Sequence, residues 1–300
     1  MLLALNIVKK SCWIYTKNLI KTLANSLEKY YTLYVIISEG CKFMFNKLGF
    51  QLYTMREYIK DLDVADAALK KLRSLGYTEC HGACVEDNAA LGDLVVKNGI
   101  DMVGTNYSWW HMKNKPEETM ELHERWNCKL LGPGAIGSEE MKNIDSLNEF
   151  IYDFNKTAEV YAKRGFKLTY HNHSFEFMRI DGYKTIMDVF IEKMDKDITS
   201  FVLDTGWAAV AGVDVAELIE KLEGRIDILH LKDFTIKNKG NWDFRPDTVE
   251  VGYGNVSWDR IIAAAEKIGV KHYCVEQDYC SYDSIKSLSM SAEFLKKYMA

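Results

Sequence analysis

The sequence predicts an α/β protein folded as a closed (β/α)8 barrel, and three observations carry that expectation. From about residue 48 onward, short β-branched or apolar runs alternate with longer segments of helical periodicity, and there are eight such runs. Several helical segments end in a glycine that leads directly into the next run. No GxGxxG follows the first run and no GxxxxGK occurs anywhere, which argues against an open doubly wound sheet cradling a phosphate on a glycine loop.

In chain order, LGFQLY (48–53) is the first expected strand, with a helix over roughly 64–75 behind it. YTECHG (77–82) precedes a helix near 87–98, and DMVGTN (101–106) precedes the acidic helix start PEETMELHERW (116–126). CKLLG (128–132) leads to a helix near 139–164. KLTYHN (167–172), TSFVLD (199–204), RIDILHLK (225–232) and KHYCVE (271–276) each precede a further helical segment. The helix ends Leu75-Gly76, Asn98-Gly99, Arg164-Gly165, Glu223-Gly224 and Ile268-Gly269 share one device: glycine takes the left-handed conformation that stops a helix and drops the chain into the next strand.

Composition agrees with a large packed core. The chain has 300 residues, 48% hydrophobic and 12% aromatic, enough to exclude collagen-like, coiled-coil and disordered architectures. A single barrel of about 250 residues uses most of that length. Net charge is −5 and the Lys and Arg residues are scattered, so a nucleic acid finds no basic stripe to grip. The seven cysteines include no CxxC and sit mostly in apolar segments, the pattern of reduced thiols in a cytoplasmic protein.

Residues 1–43 differ from the rest: six Lys against two Glu give this stretch +4, leaving −9 on the remainder. No apolar run there reaches the ~18 residues of a membrane span, and Lys9 and Lys10 interrupt any signal-peptide core. The expectation is an N-terminal extension (1–43) followed by the barrel (44–300). MFNKLGFQLYT reads as a start codon at Met44 followed by the first strand, with a purine-rich stretch at the Glu39–Gly40 codons, so translation is expected to begin there; an amphipathic surface helix over the extension is the alternative.

Chemistry in such a barrel sits where the strands end. The fifth run ends in Tyr170-His171-Asn172-His173 with Glu176 beyond, the sixth in Asp204-Thr205-Gly206-Trp207, the seventh in His230-Leu231-Lys232-Asp233, and the eighth in Glu276-Gln277-Asp278. Four consecutive strands thus bring His, Asp, His and Glu to one rim, a mixed imidazole and carboxylate set that suits one divalent cation, Mn²⁺, Zn²⁺ or Co²⁺, with Mg²⁺ allowed. Taken singly, each has a plainer reading. Asp204 is a good cap for the following helix, and His230 after Ile228 and Leu229 reads as a satisfied core histidine. Glu276 is harder to explain away, because a buried carboxylate needs a partner.

The segments GFKLTYHNHSFEF (165–177), VLDTGWAAVAGVD (202–214), GRIDILHLKDF (224–234), VGYGNVSWDRIIAAAEKIGV (251–270) and YCVEQD (273–278) resemble the sugar phosphate isomerase/epimerase family of xylose-isomerase-like barrels, related to inosose dehydratases and metal-dependent AP endonucleases. The likeness runs from about Leu48 to the end. It implies a xylose-isomerase-like TIM barrel with one divalent metal ion on the rim, acting on a carbohydrate. Asp204, His230 and Glu276 fall on the family's metal-binding Asp, His and Glu. Ketose epimerases of the family carry a Glu about 33 residues before that Asp, where this chain has His171; the fourth ligand is therefore His171 or, swinging back, Glu176. Tyr253 also departs, standing where relatives commonly have Glu.

The implied mechanism is an enediolate one: the metal polarises neighbouring substrate oxygens while a rim base takes the adjacent carbon's proton. His173, two residues past His171 and so on the same side of the strand, and Glu176 are the candidate bases; Lys232 is the candidate partner for a substrate oxygen or phosphate. Trp109, Trp110, Trp207, Trp242 and Phe244 are expected to form a wall for a sugar face, with loop 235–255 as a lid, and Tyr53, Arg56, Glu79 and His81 stand as further rim residues. The expected activity is a metal-dependent sugar isomerase or epimerase. The alternatives are a lyase on the same barrel, such as an inosose or keto-sugar dehydratase or a 3-keto-glycoside deglycosidase, and, more distantly, a non-catalytic sugar-binding barrel. A small carbohydrate is the expected partner, with no nucleic acid and no membrane; a homo-oligomer is left open.

Overall fold

A computed structural model describes residues 45–83 and 89–300; the extension 1–43 and its expected boundary lie outside them. Eight parallel strands close into a barrel: β1 (Leu48–Gln51), β2 (Tyr77–Ala83), β3 (Asp101–Asn106), β4 (Leu130–Gly132), β5 (Lys167–His171), β6 (Thr199–Asp204), β7 (Ile226–Leu231) and β8 (His272–Val275). Closure is between β1 and β8, with the order β1-β8-β7-β6-β5-β4-β3-β2. The expected eight strands and their order are those observed, most of them shorter by one or two residues.

The helices pack outside. They are α1 (Leu62–Ser74), α2 (Ala89–Lys97), α3 (Trp109–Asn114), α4 (Pro116–Arg125), α5 (Ile144–Ala162), α6 (Ile186–Lys193), α7 (Thr205–Val210), α8 (Val215–Lys221), α9 (Trp258–Ile268) and α10 (Ser284–Leu295). Among these, α3 is additional to the sequence reading, and α5 starts five residues later than expected, at an Asn143 cap whose side chain accepts from Ser146 N–H. Glycines 76, 99, 165, 224 and 269 all have positive φ, between 70° and 100°. At Gly269 the left-handed residue terminates α9 and its N–H donates to the carbonyl of Glu266, the geometry that a Cβ would strain.

Two apolar layers hold the fold. The larger lies between sheet and helices; the smaller plugs the barrel, where Val103, Val202, Ile228 and Cys274 meet in one cluster. Successive inward side chains on a strand are two residues apart. Two residues beyond Val202, Ile228 and Cys274 come Asp204, His230 and Glu276, so the apolar plug is roofed with titratable side chains. The register confirms the layer: Asp204 pairs with His230, and Cys274 beside His230 sets Glu276 just beyond it.

The expected lid, loop 235–255, is mainly an antiparallel hairpin, Asp233–Asn238 against Phe244–Val249, turning through Asn241 and Trp242 at positive φ. Its base is fixed by Asp233, whose carboxylate accepts from the N–H groups of Gly252, Gly254 and Val256 and from Trp258 Nε1 at 2.8–3.2 Å. A Cβ on Gly254 would lie 2.2 Å from Asp233 Oδ1, which is why a side chain is not accommodated there. Of the seven cysteines, Cys80, Cys128 and Cys274 are buried free thiols and Cys280 is partly buried. Among the described residues no helix is long and apolar enough to cross a membrane.

Candidate metal centre

His171 ends β5, Asp204 ends β6, His230 is the penultimate residue of β7, and Glu276 follows β8; all four are buried. Each offers one ligand atom, and the four atoms lie within 4.8 Å of one another. His230 Nδ1 is 2.6 Å from Glu276 Oε2 and 4.0 Å from Asp204 Oδ2, while His171 Nε2 is 3.5 Å from Asp204 Oδ2 and 3.7 Å from Glu276 Oε2. A divalent ion with bonds of about 2.0–2.3 Å sets its ligands roughly 3–4 Å apart, a spacing met by three of these four separations, while His230 Nδ1 and Glu276 Oε2 are in direct contact and would part to admit an ion. Two of the inward atoms, His230 Nδ1 and Glu276 Oε2, are buried without a hydrogen bond of acceptable geometry. Orphaned lone pairs on buried groups are costly unless something else satisfies them, and a cation does.

Asp204 caps a helix with one carboxylate oxygen and still turns the other to the cluster. Its Oδ1 accepts from Trp207 N–H and caps α7, while Oδ2 faces the centre. Its backbone N–H in turn donates to Asn172 Oδ1 at 2.9 Å. His230 is likewise anchored behind: its Nε2 meets His81 Nδ1 at 3.1 Å, and the Gln51 amide meets the same nitrogen at 2.7 Å. With Nε2–H of His230 donating to His81, Nδ1 of His230 keeps its lone pair for the centre. Asn106 touches Nδ1 of His171 at 3.4 Å.

Lys232, entirely buried, reaches into the same space. Its Nζ is 2.9 Å from Asp204 Oδ2, 3.2 Å from Glu276 Oε2 and 3.0 Å from Asp278 Oδ2, and 5.0 Å from the Trp207 ring centre. Burial opposes charge on the two ligand carboxyls, but the Lys232 ammonium with the neighbouring imidazoles outweighs it and holds Asp204 and Glu276 below the usual carboxylate range. The same contacts, working against burial, lift Lys232 above the usual lysine value. Burial, with Glu276 adding to it, raises Asp278.

His173 stacks on Phe175 at 5.1 Å and lies 4.8 Å from the His171 ring, with its Nδ1 buried and lacking a hydrogen-bond partner. Burial and the neighbouring His171 push it down to about 3, so the ring is neutral. Glu176 does not join the four ligand atoms. It lies in a 3₁₀ turn, where Oε1 accepts from Tyr170 OH at 2.6 Å and Oε2 from His173 N–H at 2.7 Å; burial nonetheless leaves its carboxyl above the usual range.

Several of the secondary candidates are elsewhere. Glu79 faces the opposite end of the barrel, bound to His272 at 3.0 Å and to Lys47 at 3.5 Å, because β2 runs on to Ala83 and leaves it four residues short of the rim. Trp109 packs on Phe150 and Phe154, and Trp110 is 58% exposed. Trp242 and Phe244 meet edge to face at the exposed hairpin end, and Tyr253 is exposed. Arg56 stacks on Tyr53 and donates to the Asp278 carbonyl at 2.6 Å, bracing the loop after β8.

A family model described as xylose isomerase-like TIM barrel matches residues 86–298. The chain belongs to that family. Over 195 residues it is 24% identical to an inosose dehydratase of Geobacillus kaustophilus, covering 56% of this chain and 61% of that protein, so the chain spans about three-fifths of its curated relative's length. Among solved structures, a sugar phosphate isomerase/epimerase of Parabacteroides distasonis superposes with a TM-score of 0.68 at 21% identity, covering 85% of this chain and 96% of that one. A probable 3-DHS dehydratase of Bacillus anthracis superposes with a TM-score of 0.62 at 12% identity, covering 83% and 98%. The xylose isomerase-like barrels thus include isomerases or epimerases and dehydratases.

Within this xylose isomerase-like barrel, sequence reasoning leaves Gln51, Asn106, Asn172 and Asp278 without a role. Their signal is a shared one: each is a polar residue at, or within a few positions of, the end of an apolar strand.

Proposed function

We propose that this rim is the active site of a divalent-metal-dependent isomerase or epimerase of a sugar or sugar derivative. The observation that carries the reading is the buried convergence of His171, Asp204, His230 and Glu276, whose four inward atoms lie within 4.8 Å of one another, with no well-aligned hydrogen bond at His230 Nδ1 or Glu276 Oε2. A divalent ion held by these four residues, Mn²⁺, Zn²⁺ or Co²⁺ by donor type with Mg²⁺ allowed, supplies a Lewis acid that steadies negative charge on a substrate oxygen when the adjacent carbon loses its proton.

The chain's own residues supply the rest. His173, with an unpartnered Nδ1 two residues past His171, is the group placed to accept the carbon's proton. Lys232, held as a cation by three carboxylates, donates to a substrate oxygen and fixes its position. Glu176 is a positioning residue: by accepting from His173 N–H and Tyr170 OH it sets the turn that aims His173.

A lyase on the same rim is the second reading. It is favoured by the 24% identity to an inosose dehydratase and by His171 at the place where ketose epimerases of the family carry a glutamate. Proton loss next to a leaving group ends in elimination instead of reprotonation. The test is a panel of ketoses, inososes and 3-keto glycosides incubated with metal-replete protein. Isomerisation or epimerisation leaves product mass unchanged, and dehydration gives an unsaturated product absorbing in the ultraviolet. No metal-dependent turnover of any panel member would overturn both readings.

A further inference from the structure

Beside the metal centre lies a cavity of about 650 Å³ whose wall includes Trp207, Val210, Phe234, Pro246 and Tyr279. Two residues join it to the rim. Asp278 lines it and contacts Lys232 at 3.0 Å, and Trp207 lines it while its N–H caps onto the ligand Asp204. The volume falls in the range of drug-sized ligand sites, about 300–1,000 Å³.

Its chemistry is specific. The charged groups around it already face opposite charges: Arg245 Nε is 2.8 Å from Asp243 Oδ1, and Lys239 and Lys237 are 2.8 and 3.0 Å from Asp247 Oδ2. These three cations share two carboxylates and are 40–68% exposed, so they belong to the open edge of the cavity. The rest of the wall is mainly aromatic and aliphatic, broken by the polar side chains of Thr248, Asp278 and Ser281.

We propose that this cavity is a second subsite that takes an apolar, aryl-sized group attached to the sugar, so that the substrate is a glycoside or similarly substituted sugar and not a free monosaccharide. The proposal rests on the sugar-processing reading above. The sugar occupies the rim, and the apolar substituent lies between Trp207, Phe234 and Tyr279. The hairpin Asp233–Val249, with its base locked by Asp233, forms the outer wall and is present in this barrel to build that subsite.

The test measures binding of D-glucose, D-galactose and D-xylose, of their phenyl glycosides, and of the corresponding sugar phosphates to the metal-replete protein by isothermal titration calorimetry. At least one phenyl glycoside is expected to bind about tenfold more tightly than its parent sugar. Val210→Trp, which fills the cavity, is expected to bring the ratio to within about twofold at unchanged metal content. Tyr279→Ala, at a side chain exposed enough to leave folding alone, is expected to lower it by about threefold. Equal binding of sugar and glycoside, tightest binding of the phosphates, or no binding of any phenyl glycoside would overturn the subsite. If panel sugars still turn over, the functional reading stands and only this inference falls; loss of metal binding and of all turnover removes the functional reading itself.

Discussion

The two ends of the barrel carry buried charge in opposite ways. At the N-terminal end the charges are paired off: Asp227 lies between Lys167 at 3.0 Å and Lys271 at 2.8 Å, and Glu79 between His272 and Lys47. At the C-terminal rim two imidazoles, three carboxylates and one ammonium crowd together, and His230 Nδ1, Glu276 Oε2, Lys232 Nζ and Asp278 Oδ2 are buried without a properly aligned hydrogen bond. Buried charge with its partners in place contributes to stability or is neutral to it; buried charge left incomplete costs stability and persists where function needs it. The contrast separates scaffold from site without reference to any relative.

The sharpest way to break the contrast is to remove a rim charge. Glu276→Gln is expected to lower kcat/KM by at least a factor of about 10³ and also to lower the melting temperature of the metal-free protein, because the carboxylate answers the buried Lys232 and His230. Steady-state kinetics and calorimetry on the same preparation check both. A large loss of stability with activity retained would make the rim a structural ion cluster like the one below it.

His81→Phe acts one layer back. It keeps an aromatic ring against His230 but removes the acceptor that holds the His230 tautomer, so divalent metal affinity is expected to fall by about 10–100-fold, with the fold unchanged by circular dichroism. Unaltered affinity would show that His230 needs no support from His81.

His123 sharpens the comparison from the other side, as a buried histidine whose needs are met: Nε2 contacts Thr105 Oγ1 and Nδ1 the Thr119 carbonyl, at 2.8 and 2.7 Å. Burial pushes it down from 6.5 to about 4. The unfolded chain therefore takes up the proton first, so the stabilising contribution is whole above pH 6.5 and drains as pH falls toward 4. Over that window the wild-type protein is expected to lose about 3 kcal/mol more than His123→Gln in urea-melt series at stepped pH. Parallel pH profiles would contradict the assignment.

The smallest effect is expected at the paired end. Asp227→Asn leaves two lysines without a counter-charge, but Lys271 is 66% exposed and hydrates readily, so the loss is about 1–2 kcal/mol with metal content and turnover unchanged. Any fall in kcat there would mean the two ends are coupled.

Much of this was legible in the residues themselves, and the reasons are physical. Alternation of apolar runs with helical periodicity, punctuated by glycines at the helix ends, marks the barrel because each device is local. The rim ligands are visible because period-two geometry forces a polar residue after an inward apolar one to share its side of the strand: Asp204 after Val202, His230 after Ile228, Glu276 after Cys274. The His81–His230 contact is not visible in this way, since 149 residues separate its members and only barrel closure brings them together. Glu79 misleads because the length of β2 decides which end it faces, and four residues at about 3.3 Å each move it some 13 Å from the rim. The hairpin after β7 reads as a loop because one of its strands is largely solvent-exposed and lacks the apolar alternation of a half-buried strand.

The central claim is that the rim is incomplete without a cation. Stripping the protein with a chelator, titrating Mn²⁺ or Zn²⁺ into it by calorimetry, and repeating the titration with Asp204→Asn tests that claim most directly. The account predicts one ion per chain with micromolar or tighter affinity, and binding weakened by at least about a hundredfold in the variant. No saturable binding in the wild-type protein, or binding that survives loss of the Asp204 carboxylate undiminished, would contradict it.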